Sequence, residues 1–365
     1  MRFFLPCLAT LVLALAGDAV SAPRLPAQEP PPASAATVDS ATRTRVIAGV
    51  LRRLEDGYVF PERATAMAQA VRRRARAAAY DRINDPHALA DTLTADLQAV
   101  SHDRHLRVVY RPDGVADESP EGEPGPAQRL ARQAFGRKVN FGLERAERLA
   151  GNVGYLEIRS FDFDPASVDS TLAAAMAFLG RTDALIVDVR RNGGGEPEMV
   201  AAVCSYFLPA GRLINRFYWR PGHRWDEFRT RRPTGPWYGT TKPVYVLTSD
   251  GTFSAAEEFA YDVQTQRRGE IIGDTTGGGA HPGGMRRVTD RFGVWVPSGR
   301  AVNPVTETNW EGVGVRPDVP VPASDALRTA HLRALERLLT TARGDESRAA
   351  LRSAIEQVRA TPATS

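Results

Sequence analysis

Val244-Tyr245-Val246-Leu247-Thr248-Ser249-Asp250-Gly251-Thr252-Phe253-Ser254-Ala255-Ala256-Glu257-Glu258-Phe259 runs from an apolar, β-branched stretch through a short polar turn into an Ala/Glu-rich stretch. The pattern predicts a buried strand, a sharp turn and a helix, with Ser254 at the junction. A nucleophilic serine needs this placement, because the first turn of a helix leaves free N–H groups beside the hydroxyl. Those groups and the helix dipole can stabilise an oxyanion. The same residues also fit an S-x-x-E capping box of Ser254 and Glu257, in which the serine only caps the helix.

Working outward, Ala184-Leu185-Ile186-Val187-Asp188-Val189 reads as a second fully buried strand. It runs into Arg190-Arg191-Asn192-Gly193-Gly194-Gly195, and a helix opens at Glu196-Pro197. Three glycines after a strand permit close backbone approach to a ligand, so Gly193 or Gly194 can supply one oxyanion N–H and Ala255 another. A plain Gly-rich turn is the simpler reading of the glycines alone. The phosphate-loop pattern and the full dinucleotide fingerprint are both absent. From Val153 onward strands alternate with helices: 153–158, a helix near 168–179, 185–189, a helix to Phe207, 244–248, a helix to Gln266, 270–272 and 294–297. The alternation predicts an α/β domain with a mostly parallel central sheet and flanking helices. Residues 38–100 read as helices, as do 324–361, and Asp117–Pro126 reads as an acidic, Pro/Gly-rich linker.

Together these segments resemble the S41 family of serine peptidases, which includes the tail-specific proteases, the tricorn core and the interphotoreceptor retinoid-binding protein modules. The matching stretches are Gly151–Leu156, Asp188–Gly195, Thr252–Glu258, Gly273–Gly279 and Gly312–Asp318. Upstream, Ser101-His102-Asp103-Arg104-His105-Leu106-Arg107-Val108 matches the retinoid-binding-like branch. The resemblance covers roughly residues 45–325 and implies a ClpP/crotonase-like core with an N-terminal helical cap. Only about 40 residues separate Val109 from Gly151, too few for an independent PDZ domain. The expected organisation is a signal peptide (1–22), a disordered lead-in (23–37), the cap (38–110), a linker (111–150), the catalytic domain (151–323) and C-terminal helices (324–365).

The chain has 365 residues, 42% hydrophobic and 25% charged, with a net charge of +4. Those values suit a soluble globular protein and are too mild to argue for nucleic acid. Arg2, the apolar run Phe3–Ala16 and Ala14-Leu15-Ala16 read as a secretory signal, too short for a confident membrane span, so the expected location is secreted or periplasmic. Cys7 lies in that signal, which leaves Cys204 as a buried, inert thiol. No cofactor or metal is expected.

Tail-specific proteases pair the serine with a lysine, but the chain has only Lys138 and Lys242 among 47 basic residues. Gly279 stands where that family keeps its lysine, and Lys242 falls at the far end of the strand from Ser254. Arginine stays protonated and offers no lone pair. His87, His223 and His331 read as surface or capping residues, leaving His102, His105 and His281. The resemblance assigns the base to His105, with His281 in its glycine loop as the rival. It places the orienting acid at Glu311, with Asp103 and Glu258 as rivals. Activity is expected to follow a group near the reference histidine pKa of about 6.5. The expected function is a serine endopeptidase acting on flexible polypeptide through an acyl-enzyme. The alternative is a catalytically silent protein that binds an apolar ligand. The sequence leaves the oligomeric state open.

Overall fold

The computed structural model describes residues 37–116 and 125–360. The expected signal and lead-in lie outside the described residues. Three helices open the chain: α1 (Ser40–Gly57), α2 (Pro61–Arg76) and α3 (Pro86–Ser101). Asp39 and Asp85 cap α1 and α3 by accepting from Thr42 N and Ala88 N, each at 2.7 Å. Pro86 follows Asp85 at the first helical position, where its missing N–H costs nothing. Then come β1 (Arg107–Tyr110), α4 (Pro126–Lys138), β2 (Leu143–Leu149), β3 (Val153–Ile158), α5 (Pro165–Leu179), β4 (Ala184–Asp188) and α6 (Pro197–Cys204). They are followed by β5 (Leu213–Trp219), β6 (Arg224–Arg229), β7 (Val244–Thr248), α7 (Ala255–Thr265), β8 (Glu270–Gly273), β9 (Gly283–Arg287), β10 (Phe292–Pro297), β11 (Gly299–Val302) and β12 (Val319–Pro320). Helices α8 (Ala323–Thr341) and α9 (Asp345–Ala360) end the described chain.

The central sheet has the order β12-β8-β7-β4-β3-β2, parallel except for the antiparallel edge strand β2. Every residue of β3, β4 and β7 is buried, because helices cover both faces. Leu156, Leu185, Val187 and Val246 face a core shared with α5, α6 and α7. The alternate residues Tyr155, Ile186, Tyr245 and Leu247 face a second core closed by α8 and α9. The period of two along each strand thus sets which helices attach to which side. A third core joins α1, α2 and α3 to β1 and β10.

The structure departs from the sequence-based expectations at three places. Part of the expected linker, residues 143–149, is an edge strand of the central sheet, and 126–138 is a helix. The alternating burial of β2 is weak, since its outer residues are exposed and charged, so its sequence looks like a loop. Residues 294–297 do not join the parallel sheet: β10 pairs antiparallel with β1 and β9, which ties the N-terminal helices to the C-terminal half. Residues 213–229 and 299–302 form a further antiparallel sheet, β11-β5-β6, which lies beside the cavity described below. Cys204 is buried, as expected.

Ile186 sits fully buried against the α8–α9 layer. Ile186→Ala should lower the unfolding free energy by about 2–5 kcal/mol, read from urea denaturation. A loss under about 1 kcal/mol would mean that this face of the sheet is not packed as described.

Candidate active site

The strand ends of β4 and β7 are bound together by buried polar groups. Asn192 is fully buried. Its Nδ2 donates to Ile158 O at 3.0 Å, its Oδ1 accepts from Gly194 N at 2.9 Å, and its carbonyl accepts from Phe253 N at 3.1 Å. One residue therefore connects β3, the glycine turn and the loop that carries Ser254. Gly194 has φ +113°, and a Cβ there would lie 2.7 Å from Ser254 Cβ. Only glycine permits both the conformation and the approach.

Ser254 has φ +54° and ψ −121°, a strained conformation for a residue with a side chain. The usual helix N-cap has extended φ/ψ, so Ser254 is not held as an ordinary cap. Its N–H donates to Glu257 Oε2 at 2.8 Å. The Glu257 carboxylate is fully buried and also accepts from Thr276 Oγ1 (2.5 Å), Gly278 N (2.6 Å) and Gly279 N (2.8 Å). Burial raises its pKa, and the four donors pull it back. The capping-box pattern was legible in the sequence, but the glycine-loop half of this bridge was not.

Among the described residues, the N–H groups of Gly193 and Ala255 are committed to no hydrogen bond, whereas Gly194 N is taken by Asn192. Gly193, Ala255, Ser254 and His105 all line one cavity of about 720 Å³. The His105 ring lies 4.6 Å from the ring of Phe253, next in the chain to Ser254. Gly279 closes over both: a Cβ there would lie 2.3 Å from Phe253 Cζ and 2.7 Å from His105 Cε1. His105 is 6% exposed, and its Nδ1 is buried without a hydrogen-bond partner. Burial lowers its pKa to about 4, reinforced by His281 and Arg107 and opposed by Asp103. The expectation of titration near 6.5 is corrected here, because it assumed a solvated ring.

Behind His105 lies a second cluster. Asp103 is fully buried; its Oδ1 accepts from His105 N at 3.0 Å, and its Oδ2 accepts from Tyr58 OH at 3.1 Å and His281 Nδ1 at 2.9 Å. Glu311 Oε2 accepts from Ala280 N at 2.5 Å and lies 3.5 Å from His281 Nδ1. Glu311 Oε1 is buried without a partner. Burial and the nearby Asp103 raise the Glu311 pKa to about 7, against the pull of His281. Glu311 thus meets His281 rather than His105, and neither Glu311 nor His281 lines the Ser254 cavity. Asp103, His281 and Glu311 bring one ligand atom each within 4.8 Å of one another, a set able to hold a small cation. Hydrogen bonds to Asp103 already hold this cluster together.

His102, His331, His223 and Lys242 fall elsewhere. His102 is the exposed, left-handed C-cap of α3. His331 Nε2 pairs with Ala150 O, and His223 with Tyr218. Lys242 Nζ donates to Gly180 O and Thr182 O, both at 2.8 Å, just before β7. Glu258 lines the cavity with Ser254.

The description "Peptidase family S41" matches residues 152–321, and "N-terminal domain of Peptidase_S41 in eukaryotic IRBP" matches residues 37–140. The chain is 27% identical over 174 residues to carboxyl-terminal-processing peptidase 2, chloroplastic, of Arabidopsis thaliana, covering 47% of this chain and 32% of that one. It is 30% identical over 135 residues to carboxy-terminal processing protease CtpA of Bacillus subtilis, covering 36% and 27%. The chain thus spans about a third of the length of the curated relatives it matches. Among solved structures, a lipoprotein from Streptococcus agalactiae shares the fold with a TM-score of 0.54 at 13% identity, covering 81% of this chain and 96% of that one. A putative peptidase from Parabacteroides merdae gives 0.51 at 18%, covering 77% and 90%.

Glu257→Gln should test the bridge between α7 and the glycine loop. An amide offers one acceptor oxygen and turns an NH2 toward donors, so at least one buried donor loses its partner. The unfolding free energy should fall by about 1–3 kcal/mol. An unchanged urea midpoint would show that the four bonds contribute nothing net.

Proposed function

The chain belongs to peptidase family S41, and on that premise we propose that it is a serine endopeptidase with Ser254 as nucleophile and His105 as base. The observation that carries the reading is Ser254 held at positive φ at the start of α7, in one cavity with His105 and the uncommitted N–H groups of Gly193 and Ala255. His105 takes the Ser254 proton as Oγ attacks a peptide carbonyl. Gly193 N–H and Ala255 N–H receive the developing oxyanion. The imidazolium returns the proton to the leaving amine, and water then hydrolyses the acyl-enzyme by the same route. Gly194 serves as the close-packed turn rather than as a donor.

Glu311 is assigned the orienting acid. His105 Nδ1 and Glu311 Oε1 are both buried and unpartnered, one a potential donor and the other an acceptor. Gly279 and Ala280 connect their surroundings, since Gly279 packs on His105 and Ala280 binds Glu311. A shift that pairs the two orphan atoms would fix the tautomer and stabilise the imidazolium. Asp103 holds the His105 backbone, and His281 packs behind it as support. The substrate is flexible polypeptide, and the apolar N-terminal run supports a secreted or periplasmic location. Among the described residues no helix is long and apolar enough to cross a membrane. The alternative of an apolar ligand fits poorly with a cavity walled by the exposed Glu198, which such a ligand would desolvate without compensation.

Two experiments test this reading. Ser254→Ala should abolish fluorophosphonate labelling and peptide hydrolysis while costing at most about 0.5–2 kcal/mol of stability. Undiminished turnover in the folded variant would remove Ser254 from the mechanism.

The pH profile tests the base and the acid together. A base must be neutral, and a lowered pKa keeps His105 neutral until the pH falls to about 4. Glu311 must be charged, and its raised pKa removes that charge as the pH falls through about 7. Activity should therefore drop in two steps, near 7 and near 4, as macroscopic values of the coupled site. Glu311→Gln should lower kcat and erase the upper step. A single step near 6.5 in both proteins would reject the assignment.

A further inference from the structure

Two carboxyl groups in the wall of the Ser254 cavity have no part in the chemistry above. Glu258 follows Ser254 by four residues, so it lies one turn further along the same face of α7, about 6 Å deeper at 1.5 Å per residue. It is 1% exposed, and its Oε1 has no hydrogen-bond partner among the described residues. Glu198, the second residue of α6, faces the same cavity from the helix packed beside α7. Its charge is felt at Glu258. Burial raises both carboxyl groups, Glu258 to about 8. Asp262 on α7 adds a third buried acid, whose Oδ1 accepts from Asn303 Nδ2 at 3.1 Å.

Of the other acids of the wall, Glu196 pairs with Arg132 at 2.8 Å and Asp226 with Arg224 at 3.0 Å, and Asp162 accepts from Ser160 Oγ. Neither Glu258 nor the solvent-exposed Glu198 has such a cation among the described residues, and for Glu258, buried with Asn215 as its hydrogen-bonding neighbour, that lack is costly. Perturbed, unpaired carboxyl groups of this kind cluster where a ligand supplies the missing partner. The cavity between them and Ser254 is flanked by the rings of Phe217 and Phe228, 4.9 Å apart. A ligand that suits this wall has a long apolar stem and a cationic end.

We propose that this pocket is the specificity pocket of the peptidase and accepts a lysine or arginine side chain from the residue whose carbonyl Ser254 attacks. Glu258 is the counter-ion at the base of the pocket, Glu198 is the second acceptor, and the side-chain stem lies along Phe217 and Phe228. The inference rests on the peptidase reading of Ser254 and adds the substrate class to it. An aspartate or glutamate at the same position is rejected by like charge, and a neutral side chain of equal length leaves the two carboxyl groups unpaired.

The test uses the full chain and internally quenched peptides that differ only before the scissile bond: arginine, lysine, norleucine or glutamate. A small uncharged fluorophosphonate without a side-chain mimic reports on Ser254 separately. Arginine and lysine peptides should exceed norleucine in kcat/KM by at least about tenfold, with glutamate lowest. Glu258→Gln should bring the arginine-to-norleucine ratio to within about threefold of one, and Glu198→Gln should lower it by a smaller factor. Butylguanidinium should slow fluorophosphonate labelling of the unaltered protein, and butanol at equal concentration should not. That arm needs no variant to fold. A norleucine peptide cleaved as well as arginine, a ratio untouched by Glu258→Gln, or equal effects of the two competitors would each overturn the inference while Ser254 still labels. Failure of the unaltered protein to label at Ser254 would instead overturn the peptidase reading, and the inference with it.

Discussion

The carboxylate of Glu257 is the constraint on which the site depends. It sits dry beneath the first turn of α7 and binds the backbone of Ser254 on one side and Thr276, Gly278 and Gly279 on the other. Those two segments follow different strands of the sheet, β7 and β8, and the Gly277 N to Thr252 O hydrogen bond joins them again. A negative charge is favoured there by the N-terminal end of the helix dipole as well as by the four donors. Once the glycine loop is fixed, it fixes more: Trp310 Nε1 donates to Gly279 O and Gly312 N to Gly278 O, which places the Glu311 turn. The strained backbone of Ser254 is sustained by this bridge and by the Asn192 bridge acting from opposite sides.

Asp103 plays the corresponding part on the N-terminal side. It lies just after α3 and reaches Tyr58 at the end of α1, His105, and His281 from the C-terminal half. The sheet β1-β10-β9 reinforces this connection through backbone hydrogen bonds. His105 therefore arrives at the Ser254 cavity on a segment anchored to both halves of the protein. Its low pKa follows from the same dry surroundings, which favour a neutral ring that can accept a proton.

The strands β3, β4 and β7 and helix α7 were legible because their burial is complete, and complete burial writes an apolar run into the sequence. The placement of Ser254, Gly193 and Ala255 was legible because each lies where a strand ends and a helix or glycine turn begins. The edge strand β2 was hidden by its exposed charged side chains, and β10 by an apolar pattern that does not say which sheet it joins. The roles of Asn192 and Glu257 were hidden for another reason. Each acts through hydrogen bonds to backbone atoms of remote segments, and backbone donors carry no residue signature. The same limit applied to Gly194, whose N–H looked available until Asn192 was seen to use it.

The division of labour among the acids follows from how each is solvated and paired. Glu257 is buried but surrounded by donors, so it serves as a structural acceptor. Asp103 is buried and accepts from three groups, so it too is structural. Glu311 has one oxygen satisfied and one orphaned, and that orphan atom is the ground for its proposed role as the orienting acid. Glu258 is buried with one orphan oxygen and faces the cavity; burial and Glu198 disfavour its charged form, and Asn215 favours it. On the proposal above, an entering cation supplies the partner that Glu258 lacks, which would make the charge of the incoming side chain, rather than its size, the property the pocket distinguishes.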